Sequence, residues 1–274
     1  MIRLGLIGDN IWESSAPDLH RLAGGLAGLD VTYGRFVPPA LGVDFEAAFR
    51  RAQSLGYRGL NVTLPYKERA PALVQIDDPL VAALGAINTI VFAEDGPRGF
   101  NTDYSGFIQA WRQEMGAASP GAVALIGAGG VGKAVGFALL ALEAATIQVF
   151  DQDSDKAAAF AAALKAARPE LDVTAALTVE AAVENADGVL NCTPAGMAPY
   201  GGTAVDKTLL QGRQWVFDAV YTPRETPFLK DAAARGLKTI SGYELFFWQG
   251  VDAFERFAGR KIDPAALRAA LSRG

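Results

Sequence analysis

Val123-Ala124-Leu125-Ile126-Gly127-Ala128-Gly129-Gly130-Val131-Gly132-Lys133-Ala134 decides how this chain is read. Val123–Ile126 is a short apolar run with the character of a buried strand, and Lys133–Leu142 reads as a helix. Between them Gly127–Gly132 spells G-x-G-x-x-G. Alone, that signature is weak; flanked by strand and helix it is the context that receives a dinucleotide pyrophosphate. Gly127 permits the tight turn, Gly129 lets the backbone approach the pyrophosphate, and Gly132 lets the helix pack on the sheet. With Gly130 and Val131 they open a helix whose N–H groups face the anion. Thr146–Phe150 reads as the next strand, and Asp151 follows it nineteen residues after Gly132. An acidic residue at that spacing hydrogen-bonds the adenosine ribose. It would also face the 2′-phosphate of NADP, and two unit charges ~4 Å apart at an effective dielectric near 20 interact by ~4 kcal/mol. No arginine follows in Gln152-Asp153-Ser154-Asp155-Lys156, so NAD is the expected cofactor.

Outward from this motif, Val173–Ala175, Gly188–Leu190, Trp215–Ala219 and Lys238–Ile240 read as strands, separated by loops or alanine-rich helical segments such as Ala157–Ala167. Alternating β and α units imply a parallel sheet with helices on both faces. On the other side, Ile2–Ile7, Val31–Phe36, Gly59–Val62, Thr89–Phe92 and Arg98–Phe100 read as strands, the last two flanking a hairpin signal at Asp95-Gly96. Pro17–Leu29 and Asp44–Leu55 read as helices, with Pro17 suited to a first turn. After Gly242 no strand signal remains; Phe247, Val251, Phe254 and Phe257 recur at helical spacing, and Pro264 opens a final short helix. The predicted fold is α/β in two domains. Residues 1–103 form an N-terminal α/β substrate domain, completed by the returning C-terminal helices of 243–274. Residues 104–242 form a Rossmann dinucleotide-binding domain. A cleft between them is expected to hold the reacting groups.

Composition narrows the function classes. The 274 residues are half hydrophobic and one-fifth charged, with a mean hydropathy of +0.16, a net charge of −5 and a pI near 5.0. Such a chain buries a sizeable core, and no Lys/Arg cluster suggests a nucleic-acid partner. A single cysteine, Cys192, and a single histidine, His20, exclude a disulfide framework and a Cys/His zinc site, and disfavour a Ser-His-Asp triad. No metal site is expected. The most apolar stretch, Ala122–Phe150, contains five glycines, Lys133 and Glu143, and does not read as a membrane span. Met1-Ile2-Arg3-Leu4 runs into a strand without a signal-peptide pattern, so a cytoplasmic protein is expected.

The remaining polar clusters sit at strand ends. Asn61-Val62-Thr63-Leu64-Pro65-Tyr66-Lys67 places a lysine beside a proline-fixed turn; Asn88-Thr89 and Asn101-Thr102-Asp103 are two more. Taken singly, each reads as a turn or cap, with Asp103 a natural N-cap for a helix from Tyr104 to Met115. Together with Gly85-Ala86-Ile87-Asn88-Thr89, Gly99–Asp103, Gly127–Gly132, Asn191-Cys192-Thr193-Pro194-Ala195-Gly196-Met197, Asp218–Pro223 and Gln249-Gly250, the pattern resembles the shikimate/quinate dehydrogenase family over nearly the whole chain. Asp151, Tyr104-Ser105-Gly106-Phe107 and Gly5-Leu6-Ile7-Gly8 resemble its NAD-using branch most.

The resemblance implies reversible oxidation of a ring hydroxyl of shikimate or quinate to the 3-dehydro ketone, with Lys67 and Asp103 as the catalytic pair. Oxidising a secondary alcohol requires hydride departure from carbon and proton departure from oxygen. A lysine beside a carboxylate holds the hydroxyl and moves that proton. Burial favours the neutral amine and Asp103 opposes it, so which residue is formally the base stays open. By the same resemblance Ser14, Thr63, Asn88 and Gln249 bind the substrate, with Tyr221 nearby, while Asn191, Thr193, Gly196 and Met197 line the nicotinamide side. Cys192 reads as a backbone position, and His20 as structural. A homodimer is the expected assembly.

One position departs from the family. Its substrate carboxylate meets two hydroxyl residues in a Ser-x-Ser/Thr-Pro segment; here the segment is Ser14-Ser15-Ala16-Pro17, with Ala16 at the second place. Ser15, if extended, points away from Ser14. A lost hydrogen bond to a charged group costs roughly 1.5–3 kcal/mol, and Glu13 adds a negative charge nearby. A related cyclic or amino-substituted hydroxy acid is therefore the alternative substrate, and a dinucleotide- or metabolite-sensing regulator the alternative class.

Overall fold

The computed structural model describes residues 1–212 and 214–273. The chain divides into two compact units: Met1–Thr102 with the chain from Phe247 onward, and Asp103–Phe246.

The first unit opens with β1 (Ile2–Ile7), α1 (Ala16–Leu26), β2 (Val31–Phe36), the one-turn α2 (Pro38–Leu41), α3 (Phe45–Ser54) and β3 (Gly59–Val62). It continues through α4 (Pro79–Leu84), β4 (Thr89–Ala93) and β5 (Gly96–Phe100). The sheet order is β2-β1-β3-β4-β5, parallel through β3 and antiparallel beyond it. Helix α1 stops three residues before the expected Leu29. Gly28 adopts φ +65°, and the amides of Gly28 and Leu29 return to the carbonyls of Gly25 and Gly24, which closes the helix in a Schellman turn. The hairpin pairs Ala93 with Gly96, so its turn is Glu94-Asp95, one residue before the expected place. Asp44 caps α3 by accepting from the Ala47 amide at 2.7 Å.

The second unit holds α5 (Thr102–Met115, from Asp103), β6 (Ala122–Ile126), α6 (Gly130–Ala141), β7 (Thr146–Phe150), α7 (Ser154–Ala167), β8 (Asp172–Ala175) and α8 (Val179–Val183). It ends with β9 (Gly188–Asn191), β10 (Trp215–Asp218), α9 (Pro227–Ala234) and β11 (Lys238–Ser241). All six strands are parallel, in the order β11-β10-β9-β6-β7-β8. Successive strands run outward from β6 to β8, then start again at β9 on its other side. Such a reversal opens a crevice at the carboxyl ends of the two central strands, where α/β sheets bind ligands. Helix α6 is buried on nearly every side, which explains why its sequence is apolar all round.

Helices α10 (Gly242–Ala258) and α11 (Pro264–Leu271) close the chain. From Phe247 onward they belong to the first unit. Phe247, Val251, Phe254 and Phe257 are buried, each worth about 1.5–3 kcal/mol relative to exposure. Phe257 lies over β3 where Gly59 leaves room: a Cβ at Gly59 would stand 2.4 Å from its ring. No helix among the described residues is long and apolar enough to cross a membrane.

Candidate functional site

In the second unit a cavity of about 640 Å³ opens at the carboxyl ends of β6 and β9. Gly127, Gly129, Asp151 and Thr193 line it, with Phe150, Gln152, Val179, Cys192, Pro194, Ala195, Tyr200, Gly201, Thr203 and Ala204. The three motif glycines are distinguishable by what a side chain would meet. At Gly127, with φ +107°, a Cβ would lie 2.8 Å from the Cys192 backbone; at Gly132 it would lie 2.0 Å from the Gly127 carbonyl oxygen. At Gly129 it would meet nothing within 4 Å, because that Cα faces the cavity. This is the cradle a pyrophosphate needs, followed by the amides that open α6 through Gly130, Val131 and Gly132. Asp151 lies at the rim, its Oδ2 accepting from the Ala128 amide at 2.8 Å and its Oδ1 from the Asp153 amide at 3.0 Å. Each oxygen keeps a lone-pair direction for a ribose hydroxyl. The residues present thus fit a dinucleotide.

Asn191 works from beneath. It is fully buried; its Oδ1 accepts from the amide and hydroxyl of Thr193 at 3.0 and 2.7 Å. Its Nδ2 donates to the Ala195 carbonyl and to Asp218. It shapes the loop that lines the cavity and does not line it. Gly196, with φ +97°, and the part-exposed Met197 continue that loop away from the lining. Asp218 also accepts from the Val220 amide and the Thr226 hydroxyl. Burial pushes its carboxyl up to about 6 against these bonds. Burial, then the Asp218 charge, pushes the Cys192 thiol well above its usual value, so it stays protonated at neutral pH.

Val179, Tyr200, Thr203 and Ala204 line the cavity without any motif to announce them. They come from the start of α8 and from the loop after β9. Among the described residues no group of three His, Cys, Asp or Glu side chains is placed to hold a metal ion.

In the first unit, the carboxyl ends of β1 and β3 gather the other candidates. The Thr63 amide donates to the Ile7 carbonyl at 2.9 Å, and the Tyr66 hydroxyl donates to Asp9 at 2.6 Å, which ties the β3 turn to the loop after β1. Val62 N donates to the Asn88 carbonyl and Ile87 N to that of Lys67, so Thr63, Lys67 and Asn88 are brought to one place. Asn88 has a second task. Its Oδ1 accepts from the Thr102 amide at 2.7 Å and so caps α5, which begins at Thr102. Asp103 is therefore not the N-cap that the sequence suggests; it sits inside the first turn, nearly buried.

Ser14 Oγ accepts from the Ala16 amide at 3.2 Å and keeps its hydrogen for another acceptor. Ser15 has φ −79° and ψ −1°, a helical conformation. The expected extended turn is absent because α1 already begins at Ala16. Gln249 is half-buried on α10, in the part that belongs to the first unit. His20 is buried against Tyr33, Phe254 and Phe257, its ring stacked 5.2 Å from that of Tyr33. Burial holds its imidazole down to about 4, against a hydrogen bond to Asn61. In the second unit Tyr221 is 39% exposed and stacks on Phe246 at 5.1 Å. Its phenol is raised by burial and then by the charge of Asp103.

Residues 6–90 match the family model described as the shikimate dehydrogenase substrate binding domain. A quinate/shikimate dehydrogenase (NAD(+)) of Corynebacterium efficiens is 39% identical, over 98% of this chain and 96% of its own. A shikimate dehydrogenase (NADP(+)) of Pseudarthrobacter chlorophenolicus is 36% identical, over 97% and 92%. Among solved structures, quinate dehydrogenase from Corynebacterium glutamicum in complex with NAD superposes with a TM-score of 0.93 at 37% identity, covering 100% of this chain and 99% of that one. Identity at this level, sustained from end to end and in the order of the motifs, means that the chain belongs to the shikimate dehydrogenase family.

Proposed function

We propose that this protein is an NAD-dependent dehydrogenase that reversibly oxidises a ring hydroxyl of shikimate or quinate to the 3-dehydro ketone. The observation that carries the reading is the coincidence, in one chain, of the Gly127–Gly132 cradle with Asp151 at its rim and of full-length identity to shikimate and quinate dehydrogenases. A pyridine nucleotide is the coarser expectation, since relatives carry both NAD and NADP names. Asp151 is what favours NAD, through its charge toward a 2′-phosphate.

A bound pyridine nucleotide would supply the acceptor for the hydride that leaves the substrate carbon. The chain supplies the rest. Gly127, Gly129, Gly130, Val131 and Gly132 would hold the pyrophosphate, and Asp151 would accept from the adenosine ribose. Thr193, on the loop shaped by Asn191 and running on through Gly196 and Met197, would flank the nicotinamide. Lys67 takes the hydroxyl proton, and Asp103 orients the amine and the hydroxyl. Thr63, Asn88, Gln249 and Ser14 hold the remaining oxygens, with Tyr221 nearby.

Ala16 favours one second reading, a related cyclic or amino-substituted hydroxy acid as substrate, because a hydroxyl that would meet the carboxylate is missing. NADH formation over a panel of hydroxy acids, with shikimate and quinate in it, tests both. Turnover of shikimate or quinate supports the first, and turnover of another member alone supports the second. Nucleotide binding without any turnover returns the chain to a sensing role.

A further inference from the structure

Asn88 is 4% exposed, and three donors converge on its Oδ1: the Thr102 amide at 2.7 Å, and the hydroxyls of Thr102 and Thr89, both at 3.1 Å. An amide flip is chemically excluded, because it would set an NH₂ group against the N–H of Thr102. Nδ2 therefore points away from this cluster. Among the described residues it has no protein partner, and it is not sealed from its surroundings.

A buried chain feeds this arrangement. The Tyr33 hydroxyl donates to Asn61 Oδ1 at 2.9 Å, and Asn61 Nδ2 donates to Thr89 Oγ1 at 3.2 Å. Thr89 Oγ1 lies 3.1 Å from Thr102 Oγ1 as well as from Asn88 Oδ1. An amide oxygen only accepts and an amide NH₂ only donates, so with Oδ1 toward Tyr33 and Nδ2 toward Thr89 the Asn61 amide takes a hydrogen from Tyr33 and gives one to Thr89. Thr89, having accepted, passes its own hydrogen forward. All members are buried, where a partly satisfied polar group is costly, so the direction is held firmly.

We propose that Tyr33, Asn61 and Thr89 are positioning residues that make Asn88 a pure hydrogen-bond donor, its Nδ2 holding an acceptor oxygen of the substrate. The proposal rests on the reading of Asn88 as a substrate ligand. Asn88 holds an oxygen other than the one whose proton Lys67 takes, so the contact is the same in alcohol and ketone. Its loss then falls on KM and leaves kcat nearly unchanged.

The test uses the full chain, with shikimate and quinate binding measured calorimetrically, KM and kcat from steady-state rates, and NADH binding followed by fluorescence. Thr89→Val and Tyr33→Phe are each expected to weaken substrate binding and raise KM by ~3–10-fold, the loss of about one hydrogen bond. NADH binding should not change, and Thr89→Ser should stay near wild type. A Thr89→Val protein that melts earlier but binds substrate normally would overturn the proposal. If Thr89→Val does not fold, normal binding by Tyr33→Phe overturns it equally. Asn88→Ala separates the two levels. Weakened binding there with none in Thr89→Val defeats the positioning alone. Normal binding by Asn88→Ala, or no binding of either acid by the wild type, defeats the underlying reading and the proposal with it.

Discussion

Asp151 Oδ2 accepts a hydrogen bond from the amide of Ala128 at 2.8 Å, so the end of β7 latches the glycine turn that follows β6. The carboxylate proposed to select NAD thus also holds the cradle. Replacing it with serine removes the charge and the latch together. Asp151→Ser is expected to weaken NADH binding and to narrow the preference over NADPH by tenfold or more, where each tenfold is about 1.4 kcal/mol. Fluorescence titration with both nucleotides measures this. A preference unchanged from wild type would assign the discrimination elsewhere. Asp151→Asn is the poorer choice, because its NH₂ would have to face the amide of either Ala128 or Asp153.

Two neighbouring glycines should respond in opposite ways. Gly132→Ala puts a methyl 2.0 Å from the Gly127 carbonyl, a backbone atom with little room to yield. It is expected to cost on the order of 1–3 kcal/mol of stability, as overpacking does. Gly129→Ala meets no protein atom within 4 Å. Its melting temperature without nucleotide should match wild type, while NADH affinity falls. Thermal melts with and without NADH distinguish the two.

Lys67→Ala is expected to lower kcat by ~10²–10⁴-fold, the range for lost general acid–base help. NADH affinity should stay near wild type, because the cradle and Asp151 belong to the other unit. Single-turnover rates with pre-bound nucleotide measure the chemical step directly. A near-normal rate would send the proton elsewhere.

Ala16→Ser restores the hydroxyl that the family pattern has at this place. If the substrate carboxylate rests against Ser14, KM for shikimate or quinate should fall by up to ~10–100-fold with little change in kcat. Ala16 opens α1, and Ser14 Oγ already accepts from its amide, so a serine enters without disturbing the backbone. Flat or worse kinetics, with another hydroxy acid turned over well, would make Ala16 a specificity change.

His20 and Asp218 should tilt the pH dependence of stability in opposite directions. His20 is held at about 4, below its ordinary 6.5, so unfolding takes up a proton between those values. The stability it confers is complete above pH 6.5 and is lost as pH falls toward 4. Asp218 is raised to about 6 from 3.8. Its contribution is complete below 3.8 and is lost as pH rises through 6. Each full shift is worth roughly 3 kcal/mol, and in the wild type the two partly cancel. Single variants expose them. From pH 6.5 to 4, His20→Phe should gain melting temperature relative to wild type, and Asp218→Asn should lose it. Slopes of the same sign would contradict the assignment.

The parts legible in the sequence are those fixed by local spacing. Gly127–Gly132 and Asp151 sit on consecutive β and α elements of one unit, so their separation along the chain already encodes their proximity. Pro17, Asp44 and the aromatic face of α10 announced helices by the same local logic. Asn88 was legible as a polar residue at a strand end, but not its direction, which is set by the amide of Thr102 and by a hydroxyl chain beginning at Tyr33. Asn191 was named for the cavity that it shapes without lining, because its hydrogen bonds to Thr193 and Asp218 exist only after β9 and β10 pair. Tyr200 and Val179 carried no signal, since they reach the cavity through a loop and a short helix whose sequences have no period. The expected extended Ser15 yielded to a helix that starts earlier than Pro17 alone suggests.

The first unit is written in two pieces, and this has a consequence for synthesis. Its sheet and α1 come from the first hundred residues, while Phe254, Phe257 and Leu267, which finish its interior, lie beyond Phe246. At roughly 5–20 residues per second, the intervening stretch delays those side chains by something like 7–30 s. The second unit, continuous in the chain, has all its strands as soon as it leaves the ribosome. The unit begun first is therefore finished last, and its nascent sheet must wait with Gly59 and His20 uncovered. A message truncated just ahead of Phe247 would yield an intact nucleotide cradle attached to an unfinished neighbour, lacking Gln249 and the aromatic lid over β3.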